Sequence, residues 1–431
     1  MMLSDDEIRS ATAVLDAPLA ELARRLPGES GQRQPVHTVY GGAHLFKSDT
    51  AVKLGALALR ALRDHAPDPQ TLAEGIGLSP AAAGKIYDRV VEKLKREPVE
   101  DFRIDFEDGY GNRPDDEEDG HAAAAAREVA TGMKNGTLPP FIGIRIKPFS
   151  QELTRRSVRT LDIFLTTLIG EAGTLPPWFV VTLPKIQVLE QVTALANLFD
   201  RMEPKLRLPA GALRFEFMIE TTQSIPMLSE MLDAARGRVV AAHFGTYDYT
   251  ASCNITAAHQ RMDHPACDFA RHSMQVVYSG TGLWLSDGAT NVMPIGDRAT
   301  VHRAWRLHVD HIRHSLVNGF YQGWDLNPAQ LPTRYAAVYA FFLEGLEAAT
   351  DRLRNFIQKA GQATLVGDVF DDATTGQGLL NYFLRALNCG AITEQEALAT
   401  GLNLDELRSR SFVKILQGRR AGKPPHSKIS S

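Results

Sequence analysis

Short apolar runs alternate with segments of helical periodicity from about residue 36 to residue 350. Alternation of this kind is typical of a parallel α/β sheet, in which each buried strand is followed by a helix. The eight predicted strands are PVHTVY (35–40), EDFRIDFED (100–108), FIGIRIKPF (141–149), WFVVTLPKI (178–186), LRFEFMIE (213–220), VVAAHFGTYD (239–248), LWLSDGATNV (283–292) and the weaker GFYQGWDLN (319–327).

Eight strands with intervening helices over this length predict a (β/α)₈ barrel, a fold that takes about 250 residues plus insertions. An open, doubly wound sheet is the alternative, because strand counting alone does not separate the two. The chain contains no G-x-G-x-x-G or P-loop motif, which makes a nucleotide-binding open sheet less favoured.

Several regions fall outside the strand–helix repeat and define the predicted domain organisation. Residues 1–34 form an amphipathic helical segment that precedes a barrel at 35–350. Residues 50–98 are longer than one connecting helix needs, so we expect a helical insertion there. Residues 351–418 predict a C-terminal helical extension, and the basic, Pro-containing stretch 419–431 predicts a loose tail.

Composition narrows the functional class. The chain has 431 residues, of which 44% are hydrophobic, and a formal net charge of −4. This balance does not indicate a nucleic-acid or anionic-membrane partner. The three cysteines form no CxxC pair, and the acidic amino terminus and lack of a long apolar run do not resemble a signal peptide or a membrane span. We therefore expect a cytoplasmic protein.

Two acidic residues lie at the ends of apolar runs that are one strand–helix unit apart. Glu220 ends LRFEFMIE and Asp248 ends VVAAHFGTYD. In a parallel α/β protein, side chains at the carboxyl ends of neighbouring strands converge on one crevice. Two carboxylates there can hold a hard divalent cation that keeps room for water and substrate oxygens. A metal in such an open site usually takes part in chemistry.

Further charged side chains follow the second, third and fourth predicted strands. Carboxylates, an arginine and a lysine at one barrel rim suit enolate chemistry, because cations stabilise charge on an oxygen while a carboxylate moves a proton. An arginine also grips a substrate carboxylate at two points. These residues are Asp105, Glu107, Asp108, Arg145, Lys147 and Lys185.

Five motifs occur in a fixed order with one strand–helix unit between neighbours: IDFEDGY, IRIKP, LPKIQ, MIETTQS and FGTYD. Together they resemble the family of citrate lyase β subunits, malyl-CoA lyases and HpcH/HpaI class II aldolases. That family has LDLEDAV, VRxN, LPKxE, xIET and GxxD in the same order. The resemblance covers about residues 36–335. It implies a (β/α)₈ barrel that cleaves or forms a C–C bond next to a ketone or thioester.

The resemblance also implies roles for individual residues. Glu220 and Asp248 match the family's Mg²⁺ ligands, so Mg²⁺ or Mn²⁺ is the expected cofactor. Arg145 matches the arginine that binds the substrate's carboxylate and carbonyl oxygens. The alternative is that Arg145 is a structural partner of Asp105 or Glu107 across the barrel mouth, since buried charges need partners. Glu107 and Asp108 match the acidic pair that lines the site, and we expect them to order metal-bound water or to shuttle a proton.

Lys185 matches the lysine of the LPK motif, and it is equally open to a substrate contact or a salt bridge. His44 follows a Gly-Gly pair after the first strand; it belongs either to an anion- or substrate-binding turn or to a tight βα turn that exposes the ring. Lys147 stands where the family has Asn, and Asn327-Pro328 replaces a His-Pro pair. The acidic run 115–119 is expected to be a solvated turn.

These observations predict a Mg²⁺-dependent carbon–carbon lyase acting on a small oxo- or hydroxy-acid. A CoA-thioester lyase or malate-synthase-like condensing enzyme remains an alternative with the same metal site. A phosphoenolpyruvate-type phosphoryl transfer enzyme is less favoured, since no nucleotide site is visible. A catalytically silent binding or regulatory barrel is the alternative of another class. By analogy with the family, we expect a homo-oligomer in which the C-terminal extension covers a barrel mouth.

Overall fold

The computed structural model describes residues 2–28, 32–358, 364–366, 369–371, 373–409, 411, 414–415 and 418–419. Eight parallel strands close into a barrel in chain order, with the first strand paired to both the second and the eighth. The predicted (β/α)₈ barrel is therefore confirmed. The barrel strands are β1 (His37–Gly42), β2 (Asp101–Asp105), β3 (Phe141–Arg145), β4 (Phe179–Leu183), β5 (Arg214–Ile219), β6 (Val239–Phe244), β7 (Trp284–Ala289) and β8 (Gln322–Asp325).

Helices surround the barrel and extend it at both ends. They are α1 (Asp5–Thr12), α2 (Asp16–Arg25), α3 (Thr50–His65), α4 (Pro69–Ile76), α5 (Pro80–Arg96), α6 (Asp115–Asn135), α7 (Thr154–Ala172), α8 (Leu189–Lys205), α9 (Leu228–Ala234), α10 (Thr246–Ser252), α11 (Pro265–Tyr278), α12 (Arg298–Val317), α13 (Leu331–Glu344), α14 (Leu346–Gln358), α15 (Ala373–Asn388), α16 (Glu394–Leu398) and α17 (Leu404–Ser409). Short 3₁₀ helices lie at Ala13–Leu15, Ala43–Leu45, Ile225–Met227, Ala257–His259 and Pro328–Gln330. Strand β9 (Thr364–Val366) pairs antiparallel with β10 (Val369–Asp371).

Strand residues alternate between the surrounding helices and the barrel axis. In β2, Phe102 packs outward against Phe46, whereas Arg103 reaches across the axis, where its Nε and Nη2 atoms each donate to Glu216 of β5 at 2.7 Å. Other buried side chains of this inner layer are also polar. They include Thr38, Asp101, Thr182, His243 and Gln322. The axis of this barrel is thus lined by polar groups, where aliphatic side chains are more usual, and Thr38, Asp101, Thr182 and Gln322 are hydrogen-bonded there.

The acidic run 115–119 was predicted to be a solvated turn, and this prediction is wrong. These residues form the first turn of α6, where negative charges interact favourably with the helix dipole. One of them, Glu118, is buried, with its carboxylate 3.1 Å from Lys147 Nζ and 3.5 Å from Arg156 Nε. The run therefore anchors the helix that follows β2.

The additions to the barrel agree with the predicted fold class. Helices α3, α4 and α5 fill the insertion at 50–98, and α14 to α17 form a C-terminal extension that contacts α13. Tyr339 of α13 donates to the carbonyl of Cys389 at the end of α15, at 3.3 Å. The domain boundaries themselves stay a prediction, and residues 420–431 of the predicted loose tail lie outside the described residues. Within the described part of the chain, no helix is both long and apolar enough to cross a membrane.

Candidate active site

The motif residues meet at the carboxyl end of the barrel. Asp105 and Arg145 are the last residues of β2 and β3, and Glu220 directly follows β5. Lys185 lies two residues beyond β4. Asp248 was predicted to end a strand, which is wrong, because β6 ends at Phe244 and Asp248 lies in the first turn of α10. It still belongs to the cluster, since its Oδ1 lies 3.6 Å from Lys185 Nζ.

Arg145 is held by the residues of the β2 end. Its Nε and Nη2 atoms donate to the two carboxylate oxygens of Asp105 at 2.7 and 2.6 Å, and Nη1 lies 2.9 Å from Glu107 Oε2. Burial alone would raise the pKa of Asp105, but the Arg145 guanidinium and backbone N–H donors lower it below its usual value. The guanidinium also lies over the ring of Tyr40, 4.9 Å from its centroid.

Lys185 occupies the middle of the carboxylate cluster. Its ammonium pairs closely with Glu107 and lies 3.3 Å from both oxygens of Asp108. Burial would lower the pKa of Lys185, but Glu220 and Glu107 raise it above its usual value. The backbone of Lys185 is left-handed, with φ of 50°, and its N–H donates to Glu220 Oε1 at 2.7 Å. The main chain therefore orients Glu220 while the side chain neutralises its neighbours.

Glu220 is buried among like charges. Burial, followed by the charges of Glu107 and Asp248, raises its pKa well above the usual value, and Lys185 only partly offsets this. Gly245 is required beside it, because a Cβ at that position would lie 2.6 Å from the Cβ of Glu220. Burial likewise raises the pKa of Glu107 despite its cationic neighbours, and Glu107 Oε2, although 2.9 Å from Arg145 Nη1, is outside hydrogen-bonding geometry.

The donor chemistry of this cluster fits a hard divalent cation. Five carboxylates share two cationic side chains, and oxygen donors with excess negative charge are what Mg²⁺ prefers. Within the described ranges, no three carboxylate, imidazole or thiolate side chains converge on one point as a preformed metal site, and the Lys185 ammonium lies between the carboxylates instead. The residues thus suit Mg²⁺ in charge and ligand type. The carboxylates are Asp105, Glu107, Asp108, Glu220 and Asp248.

His44 lies in the 3₁₀ helix after β1. Its ring centroid is 5.6 Å from that of Tyr110 and 6.1 Å from that of His121, and its buried Nδ1 has no hydrogen-bond partner. Burial lowers the pKa of His44. The half-buried ring therefore packs against the segment that follows β2. Substrate binding by His44 stays a prediction.

Lys147, which stands where the resembling family has Asn, is buried and makes its contacts within the protein. Its Nζ donates to the carbonyl of Phe106 at 2.6 Å and lies 5.0 Å from the centroid of the Tyr110 ring. Lys147 therefore fixes the β2 loop that carries Glu107.

Sequence reasoning missed Tyr40 as a member of the site. Its ring lies between Arg145 and Trp324, 4.7 Å from the latter, and its buried hydroxyl has no hydrogen-bond partner. The available signal was its position two residues after Thr38 on one strand, which places both side chains on the axis.

A sequence profile described as a domain of unknown function, DUF6986, matches residues 15–415. The chain belongs to the DUF6986 family. Among curated proteins, none matches this DUF6986 chain in sequence.

Solved structures resemble this chain to different degrees. A citrate lyase from Burkholderia xenovorans is 17% identical with a TM-score of 0.60, over 86% of this chain and 100% of that chain. Haloferax volcanii malate synthase, in a ternary complex with pyruvate and acetyl-CoA, is 13% identical with a TM-score of 0.49, over 92% and 100% of the two chains. The protein CitE from Mycobacterium tuberculosis, in complex with magnesium, acetoacetate and coenzyme A, is 16% identical with a TM-score of 0.48, over 84% and 100%. The fold resemblance inferred from the motifs is thus confirmed by the citrate lyase.

Proposed function

We propose that this protein is a divalent-metal-dependent carbon–carbon lyase that acts through an enolate on a small oxo- or hydroxy-acid. The observation that carries the proposal is the environment of Glu220, a buried carboxylate whose pKa is raised by burial and by Glu107 and Asp248. Repulsion between buried carboxylates is characteristic of functional sites, where a bound ligand relieves it. Mg²⁺ or Mn²⁺, held by Glu220 and Asp248, would supply Lewis-acid stabilisation of oxygen charge.

Arg145 is the proposed anchor for the substrate carboxylate. Two of its donors are occupied by Asp105, which fixes the plane of the guanidinium, while Nη1 faces Glu107 at 2.9 Å and Asp108 at 3.5 Å. A substrate carboxylate that takes over Nη1 would free Glu107. The raised pKa of Glu107 suits a group that accepts a proton from a substrate hydroxyl and returns it to the enolate carbon.

We propose that Lys185 balances the negative charge of the carboxylate cluster. Its ammonium is placed to keep Glu107, Asp108 and Asp248 together before substrate arrives. When the substrate hydroxyl loses its proton to Glu107, its carbon becomes a carbonyl carbon and the C–C bond breaks. The electron pair of that bond forms the C=C bond of the enolate, and negative charge gathers on the enolate oxygen. Arg145 and Lys185 are the protein cations that face this charge.

A thioester substrate is the second candidate. An apolar cavity of about 160 Å³ lies beside Tyr40, between the ends of β1 and β8, and is lined by Leu45, Phe46 and Leu326. A pocket of this character suits an acyl group better than a second carboxylate. This observation supports a CoA-thioester lyase or a condensing enzyme that uses the same cluster.

Titration calorimetry with Mg²⁺ and Mn²⁺, alone and with oxalate, tests the proposal because oxalate imitates the enolate of pyruvate. We expect oxalate to bind only with metal, and the Glu220→Gln variant to lose this binding. Glu190→Gln, the same change on the exposed surface of α8, is the matched control and should bind as the wild type does. Oxalate binding without metal, or unchanged binding by Glu220→Gln, would refute the metal site. Turnover of hydroxy-acids compared with their CoA thioesters separates the two substrate classes.

We also propose that the protein forms a homo-oligomer. Helices α1 and α2 have no buried residues. Leu19 and Leu22 of α2 are each about half exposed, as is Leu15 of the 3₁₀ helix between α1 and α2. Such a stripe is characteristic of an interaction surface. Light scattering coupled to size-exclusion chromatography should give a mass above that of one chain, and a monomeric mass would contradict the proposal.

A further inference from the structure

A second cavity opens at the other end of the barrel. It has a volume of about 460 Å³ and is lined by residues at the beginnings of strands, among them Phe141 of β3, Arg214 of β5 and Trp284 of β7. Since all eight strands are parallel, this amino-terminal mouth lies opposite the carboxylate cluster around Glu220. The proposed lyase chemistry makes no use of it.

The floor of this cavity carries buried charge that is unevenly balanced. Arg103 is fully engaged, because Nε and Nη2 donate to Glu216 at 2.7 Å each and Nη1 pairs closely with Asp101. One guanidinium therefore faces two carboxylates, and all three groups are buried. Arg214 adds a positive charge only at the exposed rim, where solvent screens it.

His243 lines the same floor, and its Nδ1 has no polar partner. The residue is fully buried, and neither ring nitrogen makes a hydrogen bond. Its Nε2 lies 3.2 Å from Glu216 Oε2 but outside hydrogen-bonding geometry, and adds positive charge only when protonated. Buried side-chain nitrogens are nearly always paired, so an unpaired imidazole that faces a cavity indicates a place for a ligand.

Three aromatic rings form the rim above this floor. Phe141, Trp178 and Trp284 lie with their ring centroids 5.7 to 5.8 Å apart. Trp178 is 38% exposed and its backbone is left-handed, with φ of 58°. A bulky residue rarely adopts this conformation, and such strain is concentrated at functional positions. The strained backbone of Trp178 therefore holds the indole at the cavity mouth. Burial of this partly exposed side chain alone would not maintain that conformation.

We propose that this cavity is a binding site for a small organic cation, such as a quaternary ammonium or a protonated amine. The faces of aromatic rings carry negative potential and attract cations, most strongly in the case of Trp. The carboxylates of Asp101 and Glu216 on the floor attract the same charge, while Arg214 at the solvated rim opposes it in part. A metal ion fits less well, because the rim offers aromatic faces where oxygen ligands are required. A neutral planar ring could stack on the indoles but would leave the floor charge unmatched.

Quenching of tryptophan fluorescence in the full-length protein tests this site. The cationic probes are choline, tetramethylammonium and butylamine. The neutral probes are 3,3-dimethylbutan-1-ol, which has nearly the shape of choline but no charge, and adenosine, which has a planar ring. We expect choline to bind saturably and the neutral alcohol to bind at least about tenfold more weakly. Equal binding of both probes, or no saturable binding of choline, tetramethylammonium or butylamine, would overturn the proposal. Saturable binding of adenosine in place of these cations would also overturn it, in favour of a stacking site.

Variants at the rim locate the binding. Trp178→Ala should weaken choline binding about tenfold, whereas Trp178→Phe should retain it within about threefold, because a Phe ring still attracts cations. Phe269→Ala removes a 63% exposed aromatic side chain from α11 and is the control that should leave choline binding unchanged. Unchanged binding by Trp178→Ala would place the cation elsewhere and refute the assignment. If Trp178→Ala does not fold, the comparison of choline with its neutral analogue on the wild-type protein still decides the question.

Discussion

Replacement of Lys185 by Met tests how the Lys185 ammonium affects metal binding and the stability of the metal-free protein. The ammonium of Lys185 now neutralises Glu107, Asp108 and Asp248. A divalent cation held by Glu220 and Asp248 must therefore compete with it for Asp248. Met removes the charge and keeps a chain of similar length. The N–H of residue 185, which holds Glu220, is unaffected. We therefore expect a less stable metal-free protein that binds Mg²⁺ more tightly.

The structure sets the size of both effects. Two unit charges 4 Å apart interact by about 4 kcal/mol at an effective dielectric constant near 20. Asp248 lies 3.6 Å from Lys185 Nζ but is 42% exposed, so screening reduces this pair to about 1 kcal/mol. Glu107 is buried, and loss of one partner of a buried pair costs about 3 kcal/mol. We expect the unfolding free energy of the metal-free variant to fall by about 4 kcal/mol, the sum of the two pairs. Its Mg²⁺ affinity should rise by about fivefold, the equivalent of the Asp248 pair.

Urea unfolding in EDTA and Mg²⁺ titration calorimetry measure the two effects. Lys185→Arg is the matched control, because it keeps the charge and should stay close to the wild type in both assays. The two effects have opposite signs, so general damage to the fold does not imitate them. A Lys185→Met protein that binds Mg²⁺ no more tightly than the wild type would refute the competition between ammonium and metal.

The remaining predictions concern titration, the arginine anchor and the C-terminal extension. Burial and neighbouring carboxylates raise the pKa of Glu220, so its contribution to stability is complete below pH 4.5 and is lost as the pH rises. The urea midpoint in EDTA should therefore fall less with rising pH in Glu220→Gln than in the wild type. Equal pH slopes of the two proteins would contradict this. Asp105→Asn should lower the unfolding free energy at pH 7 by about 3 kcal/mol, since it breaks the buried pair with Arg145. Because the pKa of Asp105 is lowered, this difference should shrink below pH 3.8, and a constant difference would oppose it. Thr393→Ala removes the capping box of α16, costs about 1 kcal/mol and should speed limited proteolysis of the extension; an unchanged cleavage rate would argue against it.

The barrel could be predicted because each strand is a short apolar run followed by a helical pattern, but the strand ends could not. The run VVAAHFGTYD stays apolar or small up to Asp248, yet β6 ends at Phe244. The reason is steric and tertiary: Gly245 passes close to the Cβ of Glu220, and α10 then starts at once. A pattern of side chains does not reveal where backbone pairing stops.

The acidic run 115–119 shows a second limit. Charge density alone favours a solvated turn, whereas the same charges also favour the first turn of a helix. The deciding contact is between Glu118 and Lys147, 29 residues apart, which no local pattern contains.

The members of the candidate site could be predicted from motif order, but their pairing could not. Arg145 was predicted to face substrate, and the sequence left open a partnership with Asp105, which the structure shows at 2.6 and 2.7 Å. The central position of Lys185 depends on its left-handed backbone. Lys carries no intrinsic preference for that conformation, so the sequence contained no signal for it.

The polar filling of the barrel axis bears on how this protein responds to temperature. Unfolding would expose Arg103, Glu216 and Asp101 where most barrels expose aliphatic side chains. Hydration of apolar surface raises the heat capacity of unfolding, whereas hydration of polar surface lowers it. The heat-capacity increment per residue should therefore be smaller than for a barrel with an aliphatic axis, and the stability curve should be flatter. The desolvation penalty of buried ion pairs also falls as temperature rises. A barrel with this polar axis should therefore lose less of its stability on heating than a barrel with an aliphatic axis.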